Sequence, residues 1–337
     1  LPFFQALARR VGVWYFDMQS VWYSSPEMLS CMKRIERASR LAAPIEHQSC
    51  AEIAVIADLD SLNYVANWSS GKDTVTYPLL NEQWSQLYRM GAPFDLYDLP
   101  EFLSGNFSAD NYKLVILLNT FHLDDSQLDA LKQRLDEFPV VLTNYAPGYV
   151  SEEGLSLAQL GQVAGMQVIK LAGSAPAQAQ LSGAAPLTWG LPEVELTPAF
   201  VVEDSSAETL GIYSEGGQVA LARSQVGEGR RYYNAVPVLS AELLRWILAQ
   251  EGLRLVGPSQ DALSLDSRFV GLHSAIAGEK VLDLGPGAEA VLDLDKRVVL
   301  PVEKGQLKLQ LALGETFCGL YGTQAEIEAW QHQLLAD

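Results

Sequence analysis

The chain has 337 residues, of which 48% are hydrophobic and 19% are charged, a composition typical of a globular protein with sizeable cores. Its 41 acidic and 23 basic residues give a formal net charge of -18, which argues against nucleic acid as a partner because phosphate binding requires clustered Lys and Arg. No apolar run reaches the roughly 18 to 20 residues that span a bilayer, so no membrane partner is expected.

The three cysteines, Cys31, Cys50 and Cys318, have no CxxC spacing and no His at ligand spacing. This pattern predicts neither a disulfide framework nor a zinc site, and no other cofactor or metal is indicated. Unpaired cysteines favour a reducing, cytoplasmic location.

The first residues are predicted to form the end of a helix, over residues 3–10, followed by a short strand over residues 11–18. The stretch has no signal-peptide cleavage site and no initiator Met, so we expect the sequence to begin inside a fold. Ser24, Ser25, Pro26 and Glu27 then predict the start of a helix that continues to about residue 43.

From residue 52 onward, buried strands alternate with amphipathic helices, which predicts a parallel, doubly wound sheet. The predicted strands are residues 52–57, 94–97, 113–118 and 140–143, and the predicted helices are residues 79–90, 124–138 and 156–163. Residues 172–198 are rich in Gly, Ala and Pro, which indicates a long loop or insertion.

After this excursion, the sequence predicts four short strands and a helix over residues 241–251. The four strands are residues 200–202, 210–213, 219–222 and 231–234. Beyond residue 256 the strands follow one another at hairpin spacing, which predicts a small antiparallel sandwich closed by a helix over residues 325–335. The strands of this last region are residues 262–265, 269–274, 280–284, 290–294, 307–313 and 316–321.

Two sets of residues are candidates for ligand contacts. Asp17 lies between Trp14 and Trp22, where aromatic faces and a carboxylate suit a sugar, although an Asp that caps a turn beside two core Trp residues explains the same pattern. Asp58, Asn119, His122 and Tyr145 follow predicted strands, where open α/β sheets bind ligands; these side chains also suit the satisfaction of loop backbone groups.

The sequence contains no motif that indicates nucleophilic catalysis or nucleotide binding. The chain has four His and no GxSxG or GxCxG elbow, and no cysteine follows a buried strand, so acyl transfer is not predicted. GxGxxG and GxxxxGK[ST] are also missing. No residue of the chain is therefore predicted to be catalytic.

Several segments, in order along the chain, resemble family-42-type β-galactosidase-like proteins. GVWYFDMQSVWYSSPEMLSCMKRI resembles the eighth strand and final helix of their (β/α)8 barrel. AEIAVIADLDSLNYV, LYRMGAPFDLYDLPEFL, YKLVILLNTFHLDD and VVLTNYAPGYV resemble their middle, trimerisation domain, and RFVGLHSAIAGEKVLDLG their small C-terminal β domain. The resemblance covers nearly the whole chain.

This resemblance implies three regions, with boundaries expected at residues 1–44, 45–256 and 257–337. They are a remnant of the barrel, a flavodoxin-like domain related to class I glutamine amidotransferases, and an antiparallel β domain. The two catalytic glutamates of the family fall on barrel strands that this sequence does not contain, so Trp14, Phe16, Asp17 and Trp22 are the residues implied to border the sugar pocket. A homotrimer and a carbohydrate substrate are the implied partners; a stand-alone small-ligand binding or assembly module is the alternative.

Overall fold

A computed structural model describes residues 2–9, 11–12, 14, 23–66, 74–183 and 187–336. The chain divides into two compact units. We call Ala51–Leu87 with Phe94–Arg254 the α/β unit, and Leu1–Cys50, Tyr88–Pro93 and Leu255–Asp337 the β unit. No helix in the described part of the chain is both long and apolar enough to cross a membrane.

The helices and strands lie as follows. The helices are α1 Pro2–Ala8, α2 Pro26–Ala42, α3 Gln83–Arg89, α4 Leu99–Leu103, α5 Asp125–Leu135, α6 Leu157–Ala164, α7 Ala241–Gln250 and α8 Gln324–Ala336, with a 3₁₀ turn at Asp60–Tyr64 and a π-helical turn at Pro78–Glu82. The strands of the α/β unit are β1 Ile53–Ala57, β2 Asp95–Asp98, β3 Leu114–Leu117, β4 Val140–Asn144, β5 Val150–Ser151, β6 Gly154–Leu155, β7 Val168–Lys170, β8 Ala175–Leu181, β9 Thr188–Leu196, β10 Phe200–Val202, β11 Glu208–Tyr213, β12 Val219–Val226 and β13 Gly229–Asn234. Those of the β unit are β14 Ala262–Leu265, β15 Phe269–His273, β16 Gly278–Asp283, β17 Ala290–Asp293, β18 Val299–Glu303, β19 Gln306–Leu311 and β20 Thr316–Gly322.

The α/β unit is built on a nine-stranded mixed sheet in the order β2-β1-β3-β4-β13-β12-β11-β8-β9. The pairings from β2 to β13 are parallel, and those from β13 to β9 are antiparallel. All four residues of β3 are buried, as expected for an apolar strand covered on both faces. The predicted parallel sheet is therefore confirmed, with an antiparallel extension that the alternation of strands and helices did not reveal.

Of the two alternatives for residues 172–198, a long loop or an insertion, the loop is wrong, because this segment contains the β8–β9 hairpin at the edge of the sheet. Ala175, Ala177 and Ala179 are buried in alternation, so small side chains form the covered face of β8. The pairing shifts register beside Pro176, and strands tolerate Pro at such irregularities. Gly190 has φ +101°, and a Cβ there would lie 2.1 Å from the carbonyl oxygen of Ala177. Glycine is therefore required by the close approach of the two strands.

The β unit contains a seven-stranded antiparallel half-barrel in the order β14-β15-β20-β17-β18-β19-β16. An antiparallel C-terminal domain is thus confirmed. The strands form one continuous sheet instead of a sandwich of two, because β18 pairs with both β17 and β19. The sequence did not predict β18, whose pattern is interrupted by Pro301.

The start of α2 agrees with its prediction. The Ser25 side chain accepts a hydrogen bond from the Met28 N–H, and Pro26 occupies the first turn, where its missing N–H leaves no donor unsatisfied. The strand predicted over residues 11–18 falls largely on residues that the structure does not describe.

Candidate functional site

Asp58 and Asn119 follow the neighbouring parallel strands β1 and β3, and the structure brings them into direct contact. The Asp58 N–H donates to Asn119 Oδ1 at 2.8 Å, and Asn119 Nδ2 donates to the Asp58 carbonyl oxygen at 2.7 Å. Both residues are buried. The Asn119 amide therefore satisfies the backbone groups of Asp58 at the point where the two strands end.

The Asp58 carboxylate is directed into its own 3₁₀ turn. Its Oδ2 accepts the Ser61 hydroxyl proton, and its Oδ1 accepts the Asp60 N–H at 3.2 Å. Burial raises the pKa of Asp58, and the Ser61 and Asp60 hydrogen bonds oppose that rise only in part. The same Ser61 oxygen accepts the His122 N–H at 2.9 Å, which ties the loop after β3 to the turn after β1.

His122 packs against an aromatic side chain. Its ring lies parallel to the Tyr64 ring, with an angle of 3° between the planes and 3.8 Å between the centroids. No group of three or more His, Cys, Asp or Glu side chains that could hold a metal ion is found among the described residues, the surroundings of His122 included. The arrangement is that of a stacked, loop-stabilising histidine.

Tyr145 directly follows β4 and has a left-handed backbone conformation, with φ 61°. A non-glycine residue in this region of φ/ψ space at the end of a buried strand is also the geometry of a nucleophile elbow. Here the position holds a Tyr whose hydroxyl donates to the Pro198 carbonyl oxygen at 2.7 Å. The Tyr145 backbone is held in turn by Asn234 and Tyr233, each through a hydrogen bond of 2.7 Å. No sequence signal indicated this conformation.

A cavity of about 930 Å³ lies at the carboxyl ends of the parallel strands of the α/β unit. Its lining comes from the segments after β1, β3 and β4, from the β7–β8 connection and from the residues before β10. The lining residues are Val65, Ala66, Thr74, Val75, Thr76, Phe121, Tyr145, Ala146, Tyr149, Val150, Leu155, Lys170, Leu171, Ala172, Gly173, Ser174, Thr197 and Pro198. Ligands of open α/β sheets bind at this edge, so the cavity is the candidate site.

Of the four residues that sequence reasoning placed at the strand ends, Tyr145 lines the cavity. Asp58, Asn119 and His122 do not belong to its lining, and their polar contacts are made within the chain. The aromatic residues Phe121 and Tyr149 were missed, although both stand in the stretches quoted for the family resemblance. An aromatic residue shortly after a buried parallel strand was the available signal.

The residues predicted to border a sugar pocket are not assembled in the described part of the chain. Trp14 is 77% exposed. Phe16, Asp17 and Trp22 lie outside the described residues. Their role remains a prediction.

No protein-family model and no curated protein matches the chain. Solved structures with a similar fold include a β-galactosidase from Bacillus circulans sp. alkalophilus, with TM-score 0.62, 16% identity, and coverage of 88% of this chain and 45% of that one. A catalytic mutant of Gan42B, a GH42 β-galactosidase from G. stearothermophilus, gives TM-score 0.60, 18% identity, and coverage of 88% and 43%. A β-galactosidase from Halorubrum lacusprofundi gives TM-score 0.57, 17% identity, and coverage of 86% and 42%.

The chain thus spans less than half the length of these structures, while they cover most of it. At such identities the likeness establishes the fold. The resemblance to part of a GH42 β-galactosidase, drawn from short sequence segments, is therefore confirmed at the level of fold.

Proposed function

We propose that this chain is the C-terminal, non-catalytic portion of a β-galactosidase-like glycoside hydrolase. Its role is oligomerisation and support of the active site of the barrel. The observation that carries this proposal is the likeness of 88% of the chain to less than half of a β-galactosidase. In the intact protein, two glutamates of the barrel cleave the glycosidic bond of a carbohydrate with retention of configuration.

The proposal assigns the three regions expected from the sequence. Residues 1–44 are the last strand and helix of the barrel, with Trp14, Phe16, Asp17 and Trp22 bordering its sugar pocket. Residues 45–256 are a flavodoxin-like domain, related to class I glutamine amidotransferases, that holds three protomers together. Its parallel strands β2-β1-β3-β4-β13 support this assignment, since they have the 2-1-3-4-5 order of flavodoxin-like sheets. Residues 257–337 are the C-terminal β domain.

The test compares this chain with the protein encoded together with the sequence upstream of Leu1. The intact protein is expected to hydrolyse 4-nitrophenyl β-galactoside and to have three times its protomer mass by light scattering. The 36.9 kDa chain alone is expected to show no hydrolysis. Hydrolysis by this chain alone, or an upstream sequence that encodes no barrel, would contradict the proposal.

The cavity favours a second function, the binding of a small ligand by the α/β unit. In this candidate Tyr145 contributes to the wall, and Asp58, Asn119 and His122 fix the loops after β1 and β3. A thermal-shift screen of the chain against small-molecule probes tests it. A rise in Tm that disappears when Ala172, in the cavity wall, is replaced by Trp supports the candidate, and no rise with any probe contradicts it.

A further inference from the structure

The charges around the cavity indicate which ligand it accepts. Among the described residues of its lining, Lys170 is the charged side chain, and no Asp, Glu, Asn or Gln is present. The whole chain has 41 acidic and 23 basic residues, so a described lining that carries a Lys and no carboxylate side chain differs in sign from the chain as a whole. The local field therefore attracts an anion.

Lys170 and Tyr149 are among the lining donors that are available to a ligand. Lys170 is exposed at the end of β7 and forms no ion pair with any described residue. The Tyr149 hydroxyl likewise donates to no described acceptor, while its ring is fixed edge-on against Phe200 with 4.9 Å between the centroids. The cavity lining therefore contains both the fixed Tyr149 ring, whose hydroxyl has no described acceptor, and the Lys170 ammonium group, which has no described ion-pair partner.

The remainder of the lining is suited to a flat apolar body. Phe121, Tyr145 and Tyr149 are buried aromatic residues, and Leu155 contributes a side chain that is 69% exposed. An exposed Leu beside buried aromatics offers apolar surface that a ligand removes from water. The volume of about 930 Å³ is at the upper end of the roughly 300–1,000 Å³ range of small-molecule sites.

The same lining is poorly suited to a saccharide. Carboxylates, which accept hydrogen bonds from sugar hydroxyls most strongly, are missing from the described lining, whose side-chain acceptors are the hydroxyl oxygens of Ser, Thr and Tyr. Trp, which offers the largest aromatic face, is also missing from the described lining.

We propose that the cavity binds a small aromatic carboxylate, with its rings against Phe121, Tyr145 and Tyr149 and its carboxylate on Lys170. This inference rests on the second proposed function, the small-ligand site, and is independent of the glycosidase proposal. Because Lys170 is exposed, its contribution is that of a partly screened ion pair.

The experiment is equilibrium binding to the chain by calorimetry, with 2-naphthoate, the neutral 2-naphthamide and lactose as probes. We expect 2-naphthoate to bind about three to five times more tightly than 2-naphthamide, and this preference to decrease with added salt. Lactose is expected not to bind at the cavity.

Three variants locate the site. Lys170→Met should remove the preference for 2-naphthoate over 2-naphthamide and leave the binding of 2-naphthamide unchanged. Lys308→Met, which removes an exposed Lys of the β unit and changes the net charge equally, should preserve the preference. Ala172→Trp, in the exposed part of the cavity wall, should abolish binding of both naphthalene probes with little change in Tm.

Each other outcome contradicts a specific part of the proposal. Binding of 2-naphthamide or lactose that Ala172→Trp abolishes, without a preference for 2-naphthoate, would leave the small-ligand site intact and refute its ligand class. Binding that is insensitive to Ala172→Trp would refute the cavity as its location. If no probe binds, both the aromatic-carboxylate ligand class and the cavity as a binding site are refuted. The same holds if the chain self-associates and a second copy blocks access of the probes to the cavity.

Discussion

Asp58 is a single residue that links the stability of the α/β unit to pH. Burial raises the pKa of its carboxyl above the ordinary value of 3.8, so the folded state holds the proton more tightly than the unfolded state. The free energy of unfolding contributed by this group is therefore highest below pH 3.8. It falls as the pH rises through the folded pKa and is then constant.

We expect the Asp58→Asn variant to lack this component. The free energy of unfolding of the variant minus that of the unmodified chain should be larger at pH 7 than at pH 3, because the variant has no carboxylate to desolvate. Urea unfolding at both pH values measures the difference. Asp60→Asn, which removes one of the smaller contributions to the raised pKa of Asp58, is the comparison and should give a smaller difference between the two pH values, in the same direction. A pH-independent difference for Asp58→Asn would contradict the prediction.

Tyr145 and Tyr149 are two tyrosines of the cavity lining whose hydroxyl groups differ in their hydrogen bonds. The Tyr145 hydroxyl donates to the Pro198 carbonyl oxygen at 2.7 Å, whereas the Tyr149 hydroxyl has no described acceptor. We expect Tyr145→Phe to lower the free energy of unfolding by about 1 kcal/mol, because a partly buried acceptor loses its donor. Tyr149→Phe should change it by less than about 0.5 kcal/mol. Equal losses in chemical denaturation would show that the Tyr145 hydrogen bond contributes nothing specific.

At the scale of elements, a buried carboxylate joins the end of α7 to the sheet. The Glu251 side chain is fully buried; its Oε2 lies 2.5 Å from Arg230 Nε and its Oε1 lies 3.6 Å from Arg223 Nη1. Its Oε1 also accepts the Tyr232 hydroxyl proton. Burial, reinforced by this hydrogen bond, raises the pKa of Tyr232 to about 12, so the hydroxyl remains a donor. The C-terminal cap of α7 is thereby attached to β12 and β13.

We expect Glu251→Gln to lower the free energy of unfolding by about 2 kcal/mol, because two arginines lose a buried counter-charge. The matched control is Glu208→Gln, since Glu208 pairs with the same Arg223 at 2.6 Å from a largely exposed position. Its effect should stay below about 1 kcal/mol. Urea unfolding of both variants at pH 7 provides the comparison, and equal effects would contradict the assignment of Glu251 as the structural partner.

For the whole molecule, a net charge of -18 predicts self-repulsion in the folded state. Raising NaCl from about 0.02 M to about 0.2 M shortens the screening length from roughly 20 Å to about 7 Å and should raise Tm by a few degrees. Calorimetric scans test this; a Tm that falls with salt would show that specific ion pairs outweigh the net repulsion.

Local pattern was sufficient for most elements of the fold. The apolar run that became β3 and the Ser25-Pro26 start of α2 have an ordinary local cause: side-chain periodicity and capping act within a few residues. The parallel direction of strands β1 to β4 followed from their alternation with helices. The antiparallel hairpin β8–β9 did not, because Gly and Pro in residues 175–196 indicate a loop locally and become strand residues only through the pairing with β11 and with each other.

The candidate site was decided by the tertiary structure. Asp58 and Asn119 were correctly predicted to follow strands, yet whether their polar groups face a ligand or each other depends on contacts between residues 61 positions apart. The cavity joins segments from Val65 to Pro198, and the left-handed backbone of Tyr145 is held by Tyr233, 88 positions away. The sequence by itself determined most of the strands and helices, because those preferences are local, but not the β8–β9 hairpin or β18. Only the tertiary structure determined which side chains remain free to meet a ligand, because satisfaction of a polar group depends on partners distant in the chain.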